Sequence, residues 1–136
     1  MKIVLDAKNA VLGRLASFAA KKSLEGNEIV ILNCNDVLIT GKRNNIFAEL
    51  KEQRRRGGAI QRGPFFPTTP ERIVKRVIRG MLPYKQQRGT DALDRVMCYN
   101  KVPKEFESVK PFESKIFAAS EKSTTMTKLT EVAEQL

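Results

Sequence analysis

Arg72, Lys75, Arg76 and Arg79 recur at i, i+3, i+4 and i+7, a spacing that places four cations along one face of a helix. Ordinary solvated faces mix signs, because like charges one turn apart repel by about 0.2–0.5 kcal/mol per pair. No acid interrupts this stripe, and Glu71 sits at its N-terminal end, where the helix dipole favours a carboxylate. Guanidinium forks match phosphate oxygens two at a time, so the chemistry on offer is phosphate binding rather than attraction to any acidic protein.

Two further groups carry the same chemistry. Arg54, Arg55 and Arg56 precede Gly57-Gly58, a pairing that can follow an irregular phosphate trace such as folded RNA presents. Lys42, Arg43, Arg62, Lys85 and Arg88 extend the set. From Lys42 to Arg88 the chain holds thirteen of its 25 Lys and Arg and only Glu49, Glu52 and Glu71 of its 15 acids. That segment therefore carries the whole net charge of +10, and the rest of the chain is neutral. Such asymmetry marks a surface built for a polyanion. Phe65-Phe66, in a basic and proline-flanked loop, either stacks on unpaired bases or anchors the loop to the core.

Other chemistry is thinly represented. Histidine is absent, which removes the commonest general base. Cys34 and Cys98 lack metal or redox spacing and read as reduced core residues of a cytosolic protein. Asp6 and Asp36 end apolar runs at the edge where α/β sheets place ligands. Asp6 to Gly13 contains one glycine, too few for a dinucleotide fingerprint or a P-loop, and Gly13 reads as a close-packing position. An enzyme acting on RNA, with Asp6 and Asp36 as metal ligands, is the alternative to a binding protein. No catalytic residue, metal, cofactor or small-molecule substrate is otherwise expected.

The elements that must position these groups follow from period. Ile3-Val4-Leu5 and Ile29 to Leu32 are continuous apolar runs, the pattern of strands buried on both faces. Between them, residues 11 to 25 take a helical period with a narrow polar stripe of Arg14, Ser17, Lys21 and Glu25, closed by Gly26. Strand, helix and strand within about 30 residues make a βαβ unit. Val37 to Ile39 is extended, and a helix with Ile46, Phe47 and Leu50 follows Thr40-Gly41.

Thr68 with Glu71 forms a capping box, and Thr69 with Pro70 offers a second helix start. The helix so opened has Ile73, Val74, Val77, Ile78 and Met81 on its apolar face and ends at Gly80 and Pro83. A short helix over Thr90 to Asp94, a strand over Val96 to Tyr99, a linker from Ser120 and a final helix within Met126 to Leu136 complete the reading. No apolar run approaches the ~20 residues of a membrane span, and the N-terminus is too quickly polar for a signal peptide. A soluble, cytoplasmic protein is expected. The 136 residues are expected to form one domain: an α/β core over 1–103, with the basic segment 42–88, and an extension over 104–136 ending in the short helix.

Together these residues are specific. Asp6-Ala7, Leu12-Gly13-Arg14-Leu15-Ala16, Ile39-Thr40-Gly41-Lys42, Arg62-Gly63-Pro64 and, above all, Arg79-Gly80-Met81-Leu82-Pro83 resemble the L-thirteen family of large-subunit ribosomal proteins. Pro83-Tyr84-Lys85, Arg88-Gly89 and the segment ending at Pro103 resemble its archaeal and eukaryotic branch. The resemblance implies a three-layer α/β/α fold with a mainly parallel four-stranded sheet. It implies a structural role on the ribosome, with large-subunit (23S-type) rRNA and neighbouring large-subunit proteins as partners. On the family pattern the Gly41-Lys42-Arg43 turn, the Gly63-Pro64 loop and the Arg79-Gly80 to Arg88 segment face RNA. Where relatives often carry an aromatic-histidine pair after Gly-Pro, this chain has Phe65-Phe66, and its last third matches least. An RNA-binding regulator working off the ribosome shares the same bulk composition.

Overall fold

Continuous apolar runs and helical stripes at period 3.6 set the element order of this chain. The computed structural model describes residues 1–56, 63–112, 116–119 and 125–136. In order they form β1 (Lys2–Asp6), α1 (Leu12–Leu24), β2 (Glu28–Leu32), β3 (Leu38–Thr40), α2 (Arg43–Arg55), α3 (Pro70–Gly80), α4 (Gln87–Asp94), β4 (Val96–Cys98), β5 (Met126–Lys128) and α5 (Leu129–Ala133). Two 3-10 turns, Cys34–Asp36 and Lys104–Phe106, punctuate the loops.

β1, α1 and β2 are the expected βαβ unit. β1 pairs in parallel with β2, Lys2 opposite Glu28 through Asp6 opposite Leu32. β4 adds in parallel to the other edge of β2, Ile29 opposite Val96, giving the order β1-β2-β4. The central strand is the one whose residues 29–32 are all buried, as the unbroken apolar run required. In α1 the stripe of Arg14, Ser17, Lys21 and Glu25 is exposed, and Gly26 ends the helix at φ +96°.

The two faces of the sheet are covered differently. Leu5, Ile29, Ile31 and Val96 share a core with Leu15 and Ala19 of α1 and with Ile73, Val74 and Ile78 of α3. Val4, Val30 and Leu32 point the other way and pack under Phe106, with Tyr99 beside them. Helices were expected on both faces. Among the described residues the second face is capped instead by the 3-10 turn at Phe106, and Met97, opposite Val30, remains 47% exposed.

The sheet also differs from the four-stranded expectation. Three strands form the parallel sheet among the described residues, while β3 pairs antiparallel with β5, Leu38 opposite Lys128. Asn33 in the left-handed region (φ +58°) and the following 3-10 turn redirect the chain after β2, and β4 takes the edge that β3 would need. Pairing with β3 also makes Met126–Lys128 a strand, so the last helix begins at Leu129 rather than Met126.

Tertiary hydrogen bonds fix α1 to α4. The buried Ser23 hydroxyl donates to the Ala92 carbonyl, and Arg95 Nη1 donates to the Ser23 carbonyl at 3.1 Å.

Candidate nucleic-acid interface

The apolar stripe of α3 is buried through Ile73, Val74 and Ile78, which fixes the direction of the opposite face. That face carries Arg72 and Arg79, both exposed, and Lys75 and Arg76, both half-buried. The stripe predicted from spacing is therefore assembled as one surface. Met81 departs from the apolar face it was assigned; it is 43% exposed, and Leu82 is buried in its place. The helix ends at Gly80, and the tight turn beyond it rotates the next side chains.

α3 starts where Thr69 with Pro70 put it, and not through the Thr68–Glu71 capping box. Thr69 is the N-cap, but its side chain makes no capping hydrogen bond. The Glu71 amide donates instead to Asn100 Oδ1 at 3.1 Å, so a side chain just beyond β4 satisfies the helix end. Glu71 turns inward, with Oε2 buried and without a hydrogen-bond partner. Its carboxylate is thus withdrawn from the basic face.

Two aromatic rings shape the cations. The Arg76 guanidinium lies 5.1 Å from the Phe66 ring centroid, and that of Arg79 lies 4.6 Å from Tyr84. Cation–π contact of this kind is worth about 0.5–1 kcal/mol at exposed sites and leaves the N–H edges of the fork pointing outward. Phe66 packs against the main core while Phe65 is 70% exposed, so the adjacent pair divides its roles. Gly63 precedes them at φ +118°, a conformation that favours glycine.

Past α3, the Pro83 turn is locked by Gln86 N donating to Pro83 O at 2.9 Å and Thr90 Oγ1 donating to Tyr84 O at 3.1 Å. Gly89 sits against this turn so closely that a Cβ there would meet Pro83 O at 2.0 Å. Lys85 is exposed on the turn, and Arg88 is exposed in the first turn of α4. Gly80 has open space around it, and a side chain there would touch nothing of this chain. Gly13 is likewise open and exposed, which overturns its reading as a close-packing position.

The remaining basic residues fall into two groups. Gln53 of α2 lines the same cleft as Arg76, which brings the Arg54–Arg56 end of α2 alongside α3. Lys42 and Arg43, both exposed, lie at the other end of α2, about 18 Å away by helical rise. The turn that presents them depends on Gly41, at φ +124°. Arg62 and Gly57-Gly58 lie outside the described residues.

Ion pairing leaves this surface largely uncompensated. Among the described residues the ion pairs are Lys22–Glu25, Arg56–Glu52 and Lys128–Asp36. Of the described members of the expected set, only Arg56 has an acidic partner, at 3.2 Å and well exposed, where such a pair contributes little.

The carboxylates proposed as metal ligands have structural work. Asp6 Oδ1 accepts from Lys8 N at 2.9 Å and from Asn33 Nδ2 at 3.0 Å, holding the left-handed turn after β2. Asp36 faces Lys128 at 3.8 Å. No group of three or more Cys, Asp or Glu suited to a metal occurs among the described residues.

The family described as Ribosomal protein L13 matches residues 1–105 of this chain. A Methanopyrus kandleri protein named large ribosomal subunit protein uL13 is 46% identical over 101 residues, 74% of this chain and 63% of that protein. Proteins of the same name from Archaeoglobus fulgidus and Picrophilus torridus are each 42% identical. Their matches cover 96% of this chain and 83% of the former, and 98% and 96% for the latter.

Proposed function

This chain belongs to the ribosomal protein L13 family, in its archaeal form, and we propose accordingly that it is a structural constituent of the large ribosomal subunit. It works in the cytoplasm as part of the ribosome and is not an enzyme. The finer reading is that the α/β body holds α3 and its flanking loops against large-subunit rRNA. The observation that carries it is the face of Arg72, Lys75, Arg76 and Arg79, which has no acid paired to it among the described residues.

Physically, such a scaffold offsets repulsion between phosphates of RNA strands that fold close together. Cations fixed by packing and by aromatic contact lose little side-chain freedom on binding. Contacts to phosphate position the protein, and the loops follow RNA shape rather than reading base edges. The exposed positions among Lys42, Arg43, Arg54, Arg55, Arg56, Lys85 and Arg88 extend this surface, with neighbouring ribosomal proteins meeting parts of the chain that RNA leaves free. The 136 residues act as one domain, with the extension after 103 supplementing the core.

The test is sedimentation of a cell lysate through a sucrose gradient. The protein is expected to travel with the large subunit and to leave it only under conditions that strip subunit proteins. Recovery solely at the top of the gradient would favour a regulator acting off the ribosome.

A further inference from the structure

The groove above α3 has an apolar floor as well as a cationic rim. Phe65, Pro67 and Leu93 line it together with Arg72, Lys75 and Arg79, and its volume is about 270 Å³. We propose that this groove is a subsite for a single unpaired RNA base, with Phe65 as the stacking platform and the cations holding the flanking phosphates. The proposal rests on the RNA-facing reading of α3 and adds to it the kind of RNA that fits.

Several observations converge on a base. Phe65 is 70% exposed although its neighbour Phe66 already anchors the loop in the core, so its exposure is not needed for folding. A phenyl ring gives a phosphate nothing and enters a duplex only at the cost of unstacking a base step, but it offers a full face to an already extruded base. Pro64 and Pro67 flank the pair, and their fixed φ angles restrict the loop before any ligand arrives. Ordering entropy is thereby spent in folding rather than in binding.

Charge and size select the same occupant. Among the described residues no acid lines the groove, and Arg72, Lys75 and Arg79 stand within it at successive turns of one helix. That is the arrangement a sugar-phosphate chain would follow on either side of a stacked base. The volume lies just below the ~300–1,000 Å³ of enclosed small-molecule pockets, which suits one ring system and not a buried cofactor.

The experiment uses the full chain and two RNA hairpins, identical except that one carries a single bulged 2-aminopurine. At one fixed salt concentration the bulged hairpin is expected to bind tighter by about fivefold to a hundredfold, with its fluorescence quenched on binding. Phe65→Ala should abolish both the advantage and the quenching while leaving affinity for the paired hairpin and the melting temperature unchanged. Phe65→Trp should retain both. Equal affinity for the two hairpins, or a bulge preference that survives Phe65→Ala, overturns the subsite. If neither hairpin binds, or if Arg72→Glu alters neither affinity, the RNA-facing reading of α3 fails and the subsite with it.

Discussion

The Arg79 guanidinium carbon lies 4.6 Å from the centroid of the Tyr84 ring, spanning the turn that ends α3. Tyr84 thus holds a cation at the point where the helix stops and the turn bearing Lys85 leads into α4. Tyr84→Ala should lower rRNA affinity about two- to fivefold, the worth of an exposed cation–π contact, while Tyr84→Phe should leave it unchanged. Filter binding of both variants at matched salt reads the difference.

Arg72 and Arg76 separate charge from packing. Arg72 is exposed, so Arg72→Glu should weaken rRNA binding or subunit incorporation with thermal stability near wild type. Arg76, on the same face, is half-buried over Phe66 and lines the cleft with α2. Arg76→Glu should therefore lose binding and also lower the melting temperature by a few degrees. Calorimetry beside a binding assay distinguishes the two variants.

Salt dependence measures the number of phosphates held. With about six to eight contacts, log K against log salt should fall with a slope of about −4 to −7. A nearly flat plot would remove the electrostatic account of the basic face.

Gly89 is required by contact rather than by torsion. A Cβ would meet Pro83 O at 2.0 Å and Tyr84 N at 2.8 Å, both backbone atoms. Gly89→Ala should cost about 3 kcal/mol by urea denaturation, since the turn must move to admit the methyl group. Gly80→Ala, with open space around it, should leave stability near wild type.

Cys34 gives the fold an alkaline sensitivity. A hydrogen bond with the Cys98 thiol, and then burial, push the Cys34 thiol above its ordinary value. The folded state therefore keeps a proton that the unfolded chain releases above about pH 8.5, so this contribution is complete below that pH and is lost as pH rises. The urea midpoint should drop more between about pH 8 and pH 10 in the wild type than in Cys34→Ala.

Local pattern made much of this molecule legible. The runs at Ile3 to Leu5 and Ile29 to Leu32 sit where burial on both faces put them, and the polar stripe of α1 is solvent-facing residue by residue. The α3 stripe was readable because a helix converts spacing directly into a face. Contacts between distant segments were not readable. Nothing in Thr68 to Glu71 announces that Asn100 would take over the cap, and Leu38 to Thr40 does not name Met126–Lys128 as its partner. The roles of Phe65 and Phe66 diverged for the same reason: identical side chains differ here only in what the core leaves room for.

The hydrogen bond from Glu71 N to Asn100 also orders events in time. A nascent chain emerges N-terminus first, so α3 is synthesised about thirty residues before the side chain that completes its first turn. Products that stop short of Asn100 would carry every arginine of that helix yet lack the side chain that satisfies its Glu71 amide. Attaining the rigid cationic face thus reports that translation has passed β4, and prematurely terminated chains would compete poorly for a place in an assembling subunit.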